Sequence, residues 1–224
     1  MDIYPKCHWI FLVLTVRDCA ISDLRDTITA MNRGWHRLLN RKDWPAYGWI
    51  RAVEVTRGED GSAHPHFHCL LMVPPSYFGK GYVPTSEWVR RWRESMRLDY
   101  DPVCDIQVIK PKIKDAAAVA DGSAADLRAA LRHAIAETAK YLVKASNLLA
   151  GGPEWLAQYI EQVHGTKIIT SGGALRGILA KMEKEGGDLV HVDGDKEEGD
   201  SGEAWLAFYW HRPRRMYARK IRRS

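Results

Sequence analysis

The stretch Tyr47-Gly-Trp-Ile-Arg-Ala-Val-Glu54-Val-Thr-Arg-Gly-Glu-Asp-Gly61-Ser-Ala-His64-Pro-His66-Phe-His68-Cys-Leu-Leu-Met-Val73 decides the fold. Residues 47–57 and 64–73 are rich in β-branched and aromatic side chains and read as two strands, joined by the turn residues 58–62. Side chains alternate along a strand, so His66 and His68 share one face while Phe67, Cys69, Leu71 and Val73 point the other way, into a core. Two hairpin registers are open. A three-residue loop, Glu59-Asp60-Gly61 with Gly61 left-handed, pairs Thr56 with His64 and Glu54 with His66, so that Glu54, His66 and His68 converge. A two-residue Asp60-Gly61 turn places Glu54 opposite Phe67, on the wrong face. The first register is preferred because it completes a metal-ligand set, which is a functional argument. Two imidazoles and a carboxylate on one face can hold a divalent ion, with His64 as a further candidate ligand or phosphate contact.

Working outward, residues 9–16 (Trp-Ile-Phe-Leu-Val-Leu-Thr-Val) read as a buried strand. Residues 23–40 form an amphipathic helix behind Ser22 as N-cap, with Leu24, Ile28, Met31, Trp35 and Leu38 along its apolar stripe. A second helix over 86–97, capped by Ser86, turns Trp88, Val89, Trp92 and Met96 inward, and residues 105–110 make a short strand. A long helix runs over 123–149 and stops at Gly151-Gly152-Pro153, followed by shorter helices over 154–164 and 174–185. This order predicts an α+β fold: a central antiparallel β-sheet carrying the histidine motif, flanked by α-helices. Residues 1–185 form the main domain. An acidic, glycine-rich loop or linker covers 186–202, and an aromatic and basic segment, 203–224, belongs to the same domain or binds DNA.

With 46% hydrophobic and 27% charged residues in 224, the chain is neither disordered, collagenous nor a coiled coil. A net charge of +5 permits a nucleic-acid partner. Four cysteines without C-x-x-C spacing read as reduced thiols. The apolar run 9–16 is far short of the roughly 20 residues that span a bilayer. A cytoplasmic protein without a membrane partner is expected.

Within the long helix, Glu137, Tyr141 and Lys144 are spaced i, i+4, i+7, beside a separate apolar stripe. An acid, a phenol and an ammonium therefore flank the packed face. A phenol is a poor nucleophile at neutral pH, but beside a divalent cation and a lysine it can attack a phosphodiester.

These motifs resemble the replication initiators of small rolling-circle plasmids of the Gram-positive type, members of the HUH (His-hydrophobic-His) endonuclease superfamily. Phe11-Leu-Val-Leu-Thr-Val-Arg-Asp18 resembles the first family motif, and Glu54-Val-Thr56 with His64-Pro-His-Phe-His-Cys-Leu-Leu-Met-Val73 the second. Glu137-Thr-Ala-Lys-Tyr-Leu-Val-Lys144 resembles the third. The resemblance extends over about residues 7–185. It implies a site-specific nicking enzyme. Tyr141 attacks a phosphate in single-stranded or hairpin DNA at the plasmid double-strand origin and stays on the 5′ phosphate, while the 3′ hydroxyl primes synthesis. Glu54, His66 and His68 hold Mn²⁺ or Mg²⁺, Glu137 activates the water that ends the round, and Lys144 supports the phosphate or phenolate charge. Arg17, Arg51, Lys110, Arg214 and Arg215 are candidate DNA contacts. A host helicase and DNA polymerase are the implied partners, in a bacterial cytoplasm, with the initiator a monomer or homodimer. The alternatives are a related transposase or relaxase of the superfamily, an unrelated zinc hydrolase using the same three ligands, and a non-nicking origin-binding regulator.

Overall fold

A computed structural model describes residues 7–109 and 151–177, together with the backbone of two strands at 208–211 and 216–219. The predicted helix over 123–149 and most of that over 174–185 lie outside the described residues, as does the acidic stretch 186–202.

Five strands form one antiparallel sheet: β1 (His8–Thr15), β2 (Gly48–Arg57), β3 (Ala63–Val73), β4 (Cys104–Val108) and β5 (Ile169–Gly173), in the spatial order β4-β1-β3-β2-β5. The histidine strand β3 is therefore central, hydrogen-bonded on both sides. Among the described residues three α-helices accompany the sheet: α1 (Leu24–Leu39), α2 (Thr85–Met96) and α3 (Gly152–Val163). The fold is α+β, as the sequence predicts.

Alternation sorts the two faces. Ile10, Leu12 and Leu14 of β1 and Phe67, Cys69 and Leu71 of β3 are fully buried against α1 and α2. The α1 stripe of Leu24, Ile28, Met31, Trp35 and Leu38 is buried throughout, and Trp88 and Trp92 of α2 are fully enclosed. Trp35 meets Phe67 edge-on at 6.2 Å, and the Trp92 indole N–H donates to the Thr15 carbonyl at 2.8 Å. Large aromatic rings thus fill the layer between sheet and helices, and the Trp88 N–H finds its acceptor in the Tyr77 hydroxyl at 3.4 Å.

Two helix starts differ from expectation. Ser22 lies inside a 3-10 turn (Ile21–Asp23) that precedes α1, and Asp23, at the N-cap, makes no side-chain capping bond. Ser86 falls within α2. Pro84 is the residue before that helix, with φ −70° and ψ 161°, and its carbonyl accepts from the N–H groups of Glu87 and Trp88. The fixed φ of proline sets the helix entry before the serine is reached.

Strand β5 was not among the predicted elements. Ile169-Thr-Ser-Gly-Gly173 has weak strand propensity, and its order comes from pairing with the edge of β2. α3 and the residue before β5 continue along that edge: Ile168 accepts from the Val53 N–H at 2.9 Å, and the Trp155 indole donates to Gly61 at 2.9 Å. Among the described residues no helix is long and apolar enough to cross a membrane. The four cysteines are all unpaired. A second compact unit, residues 193–224, contains an antiparallel pair, β6 (Phe208–His211) and β7 (Met216–Arg219).

Candidate metal centre

The hairpin closes in the first of the two registers. Gly58 and Ser62 are joined by a backbone hydrogen bond of 2.9 Å, and Gly61 takes φ +85°, a conformation that favours glycine. Thr56 pairs with His64 and Glu54 with His66. Both strands therefore deliver their site residues to the face opposite α1 and α2.

On that face one carboxylate oxygen, Oε2 of Glu54, lies 3.1 Å from His66 Nε2 and 2.5 Å from His68 Nε2. One ligand atom from each of the three residues falls within 4.8 Å of the others. Metal–ligand bonds near 2.1 Å put two ligands of one ion up to about 4.2 Å apart, so this grouping is within side-chain adjustment of a site. The His66 Nδ1–H donates to the His64 carbonyl at 3.1 Å, which orients the ring and turns Nε2 toward Glu54. Burial pushes the Glu54 carboxyl up, but the hydrogen bonds and charges of His66 and His68 outweigh it and hold it at about 2. Glu54 is thus an anion facing two imidazoles in a nearly enclosed place. That donor set fits a divalent cation.

The remaining sequence candidates are distributed unevenly. His64 stands beside His66, rings 5.4 Å apart, with its Nδ1 on the carboxylate of Asp18. Arg17 is exposed and lies over the Tyr100 ring. Arg51 is not on the surface as a DNA contact requires. It pairs with Cys69 across β2–β3, which puts it on the helix-covered face, 4% exposed, with its guanidinium 4.1 Å from the Phe67 ring centre. Burial lowers its pKa to about 10. Tyr141, Glu137, Lys144, Lys110, Arg214 and Arg215 lie outside the described residues.

Two neighbours of the site are not legible in the sequence as such. Asp18 ends the segment Phe11-Leu-Val-Leu-Thr-Val-Arg-Asp18, but nothing in its spacing announces contact with a histidine 46 residues away. Tyr159 of α3 stacks on Trp155 with ring centres 5.7 Å apart, and burial, followed by the charge of Glu54, raises its pKa. The i, i+4 aromatic spacing in α3 was the available signal.

Among known proteins, the chain matches the family described as Replication protein over residues 2–218. It is 33% identical to "Protein rep" of Bacillus amyloliquefaciens, with 92% of this chain and 64% of the relative covered. A "Replication protein" of Staphylococcus aureus is 32% identical over 95% of this chain and 91% of its own length. "Protein rep" of Streptococcus pneumoniae is 31% identical over 95% and 64%. The chain spans a little under two thirds of the Bacillus amyloliquefaciens and Streptococcus pneumoniae relatives. No solved structure matches it. The chain belongs to the replication-protein family, the plasmid replication initiators that its three motifs resemble.

Proposed function

We propose that the chain nicks one DNA strand at the origin of its plasmid, with Glu54, His66 and His68 forming the metal site and Tyr141 the nucleophile. The observation that carries this reading is the convergence of those three ligands on one face of the central strand pair, in a member of a replication-protein family. A divalent cation bound there supplies positive charge to a phosphate oxygen and makes the phosphorus more electrophilic. Two imidazole ligands suit Mn²⁺ better than Mg²⁺, which prefers an all-oxygen shell. Glu54 stays ionised throughout and His66 is kept in orientation by the His64 carbonyl, so the ligand set is preorganised.

Tyr141 attacks the scissile phosphorus, a phosphorus–oxygen bond forms to the phenol, and the bond to the 3′ oxygen breaks. The protein is left on the 5′ phosphate and the freed 3′ hydroxyl primes synthesis. Lys144, three residues after Tyr141 in the sequence, offsets the phenolate or phosphate charge. Glu137 takes a proton from the water that later hydrolyses the phosphotyrosine, so no second tyrosine is needed. These roles rest on the motif Glu137-Thr-Ala-Lys-Tyr141-Leu-Val-Lys144. Single-stranded or hairpin origin DNA is the substrate, and a host helicase and polymerase are the partners.

The test is incubation of the full chain with supercoiled plasmid carrying its own origin, in Mn²⁺ and in EDTA. Open circles bearing covalently attached protein in Mn²⁺ alone are expected. Intact supercoils under both conditions refute the reading.

A further inference from the structure

Beside the metal-ligand cluster, the chain leaving β1 contains one residue too many. Thr15 is the register partner of His66, yet Cys19 pairs with Ala63, so the three residues 16–18 stand opposite only two, 64 and 65. One extra residue on one strand is a β-bulge, which increases the local twist and re-aims side chains. Reciprocal backbone bonds between Cys19 and Ala63, 2.9 and 2.8 Å, clamp its far side. Within the bulge, Asp18 meets His64 Nδ1 and accepts weakly from the Ser62 hydroxyl at 3.5 Å. Arg17 turns the other way.

The Arg17 guanidinium carbon lies 3.8 Å from the centre of the Tyr100 ring, and the Arg17 backbone N–H donates to the Tyr100 hydroxyl at 2.9 Å. Backbone and side chain of one residue thus grip both the polar and the aromatic part of the other. The Arg17 side chain nevertheless remains 68% exposed. Among the described residues its one ion pair is with Asp99, at 4.0 Å and itself 90% exposed. So exposed a pair is screened and readily exchanged. The arrangement is a guanidinium held flat on a phenol ring, with its charge open to water, two residues (roughly 7 Å) along the chain from the partner of His66.

Resting on the nicking reading above, we propose that Arg17 and Tyr100 form a nucleotide subsite that takes the phosphate and unpaired base next to the scissile phosphate of a single strand. A guanidinium offers a planar fork of N–H donors that matches a phosphate, and phosphate displaces Asp99 from it. An unpaired base stacks on aromatic or guanidinium planes without regard to sequence. Because Arg17 is already immobilised by Tyr100, little side-chain entropy is lost on binding. Asp18 is a positioning residue here: by engaging His64 it fixes that ring beside His66.

The experiment is equilibrium binding of a fluorescent single strand, carrying the nick site of the plasmid's own origin, to the full chain in EDTA over a salt series. Arg17→Met is expected to bind about tenfold more weakly, with a salt slope shallower by about 0.7, one single-strand phosphate contact. Tyr100→Leu is expected to lose a similar factor with less change in slope, whereas Tyr100→Phe retains the ring and most of the affinity. Removing the base beside the nick weakens wild type but not Tyr100→Leu. Circular dichroism checks that each variant is folded; Arg17 is exposed and Tyr100 half-buried, and Tyr100→Phe gives a second, conservative measure. A folded Arg17→Met with wild-type affinity and slope overturns the subsite. If wild type nicks in Mn²⁺, His66→Ala does not, and Arg17→Met matches wild type in every respect, the subsite fails while the nicking reading stands. A wild type that neither binds nor nicks the origin strand sinks both.

Discussion

Glu54 and His66 are direct cross-strand partners in the β2–β3 ladder, and the Glu54 carboxylate stands 3.1 Å from the His66 Nε2 it faces. The candidate centre therefore depends on backbone register as much as on side-chain identity. A slip of one residue exchanges Glu54 for a core-facing valine and dismantles the site without altering any ligand.

Metal binding should follow this geometry. His66→Ala and His68→Ala each remove an imidazole and should weaken Mn²⁺ binding by about a hundredfold or more, beyond the 10–100-fold typical of losing an outer-shell partner. Asp18→Asn, at a residue that meets His64 and Ser62 but none of the three ligands, should cost far less. Isothermal titration of Mn²⁺ into the three variants gives the order, and equal affinities across them would remove the centre from these residues.

Gly61 tests the register itself. A residue with a Cβ at φ +85° costs about 1–2 kcal/mol, so Gly61→Val should lower stability to urea by that amount. The folded fraction should still bind Mn²⁺ if Glu54 remains opposite His66. A folded Gly61→Val that no longer binds the ion would mean the hairpin has moved into the two-residue turn.

Arg51 makes the opposite test, of a residue expected at DNA and found in the core. Among the described residues its Nε has no hydrogen-bond partner, and its charge is buried over Phe67. Arg51→Met keeps an apolar stem and removes the charge, and should be neutral or stabilising by about 1–3 kcal/mol. Arg51→Ala loses the packing and should destabilise by about 2 kcal/mol or more. DNA affinity should be unchanged in Arg51→Met; a large loss there, with the fold intact, would restore Arg51 as a contact.

Acid sensitivity has an identifiable source away from the site. Glu87 accepts from Arg90 and Arg91, and these hydrogen bonds hold its carboxyl at about 2. Because the folded pKa is depressed, the stabilisation is present above about pH 4.5 and is lost as pH falls toward 2. The Glu87 side chain is partly exposed, so solvent screening limits the contribution to about 1 kcal/mol. Glu87→Gln should therefore be less stable than wild type at pH 7 and equal to it near pH 2. A constant difference between the two across that range would exclude this ionisation as the cause.

Tyr141 and Glu137 should fail in different ways. Tyr141→Phe removes the attacking oxygen, so neither nick nor covalent adduct should form. Glu137→Gln keeps the nucleophile and should nick and form the adduct, but lose hydrolytic release at the end of the round. A time course of 5′-linked protein–DNA adduct against released product separates them. If Glu137 is only an acid paired with Lys140 or Lys144, worth about 0.3–0.5 kcal/mol, Glu137→Gln terminates like wild type. Adduct in the Tyr141→Phe sample would place the nucleophile elsewhere.

Alternation and turn chemistry were legible without coordinates. His66 and His68 on one face, Phe67 and Cys69 on the other, and the α1 stripe from Leu24 to Leu38 all follow from periods of 2 and 3.6, which are local properties of the backbone. The same alternation contained a warning about Arg51, which shares its face with Val53 and Val55 rather than with Glu54, but its charge suggested the surface. Composition locates a cation poorly, because a long aliphatic stem can be buried among aromatic rings.

By itself, then, the sequence determined strands β1 to β4 and helices α1 to α3, which residues share a face and, through Gly61, a hairpin compatible with a three-ligand site. Only the tertiary structure decided between the two registers, and only it brought Asp18 to His64 and Arg17 to Tyr100. It also ordered Ile169–Gly173 as an edge strand, against its own weak propensity. The physical reason is range. Periodicity and turn preference act over a few residues, whereas a one-residue bulge, an edge pairing or an ion pair between distant segments depends on where the rest of the chain has packed.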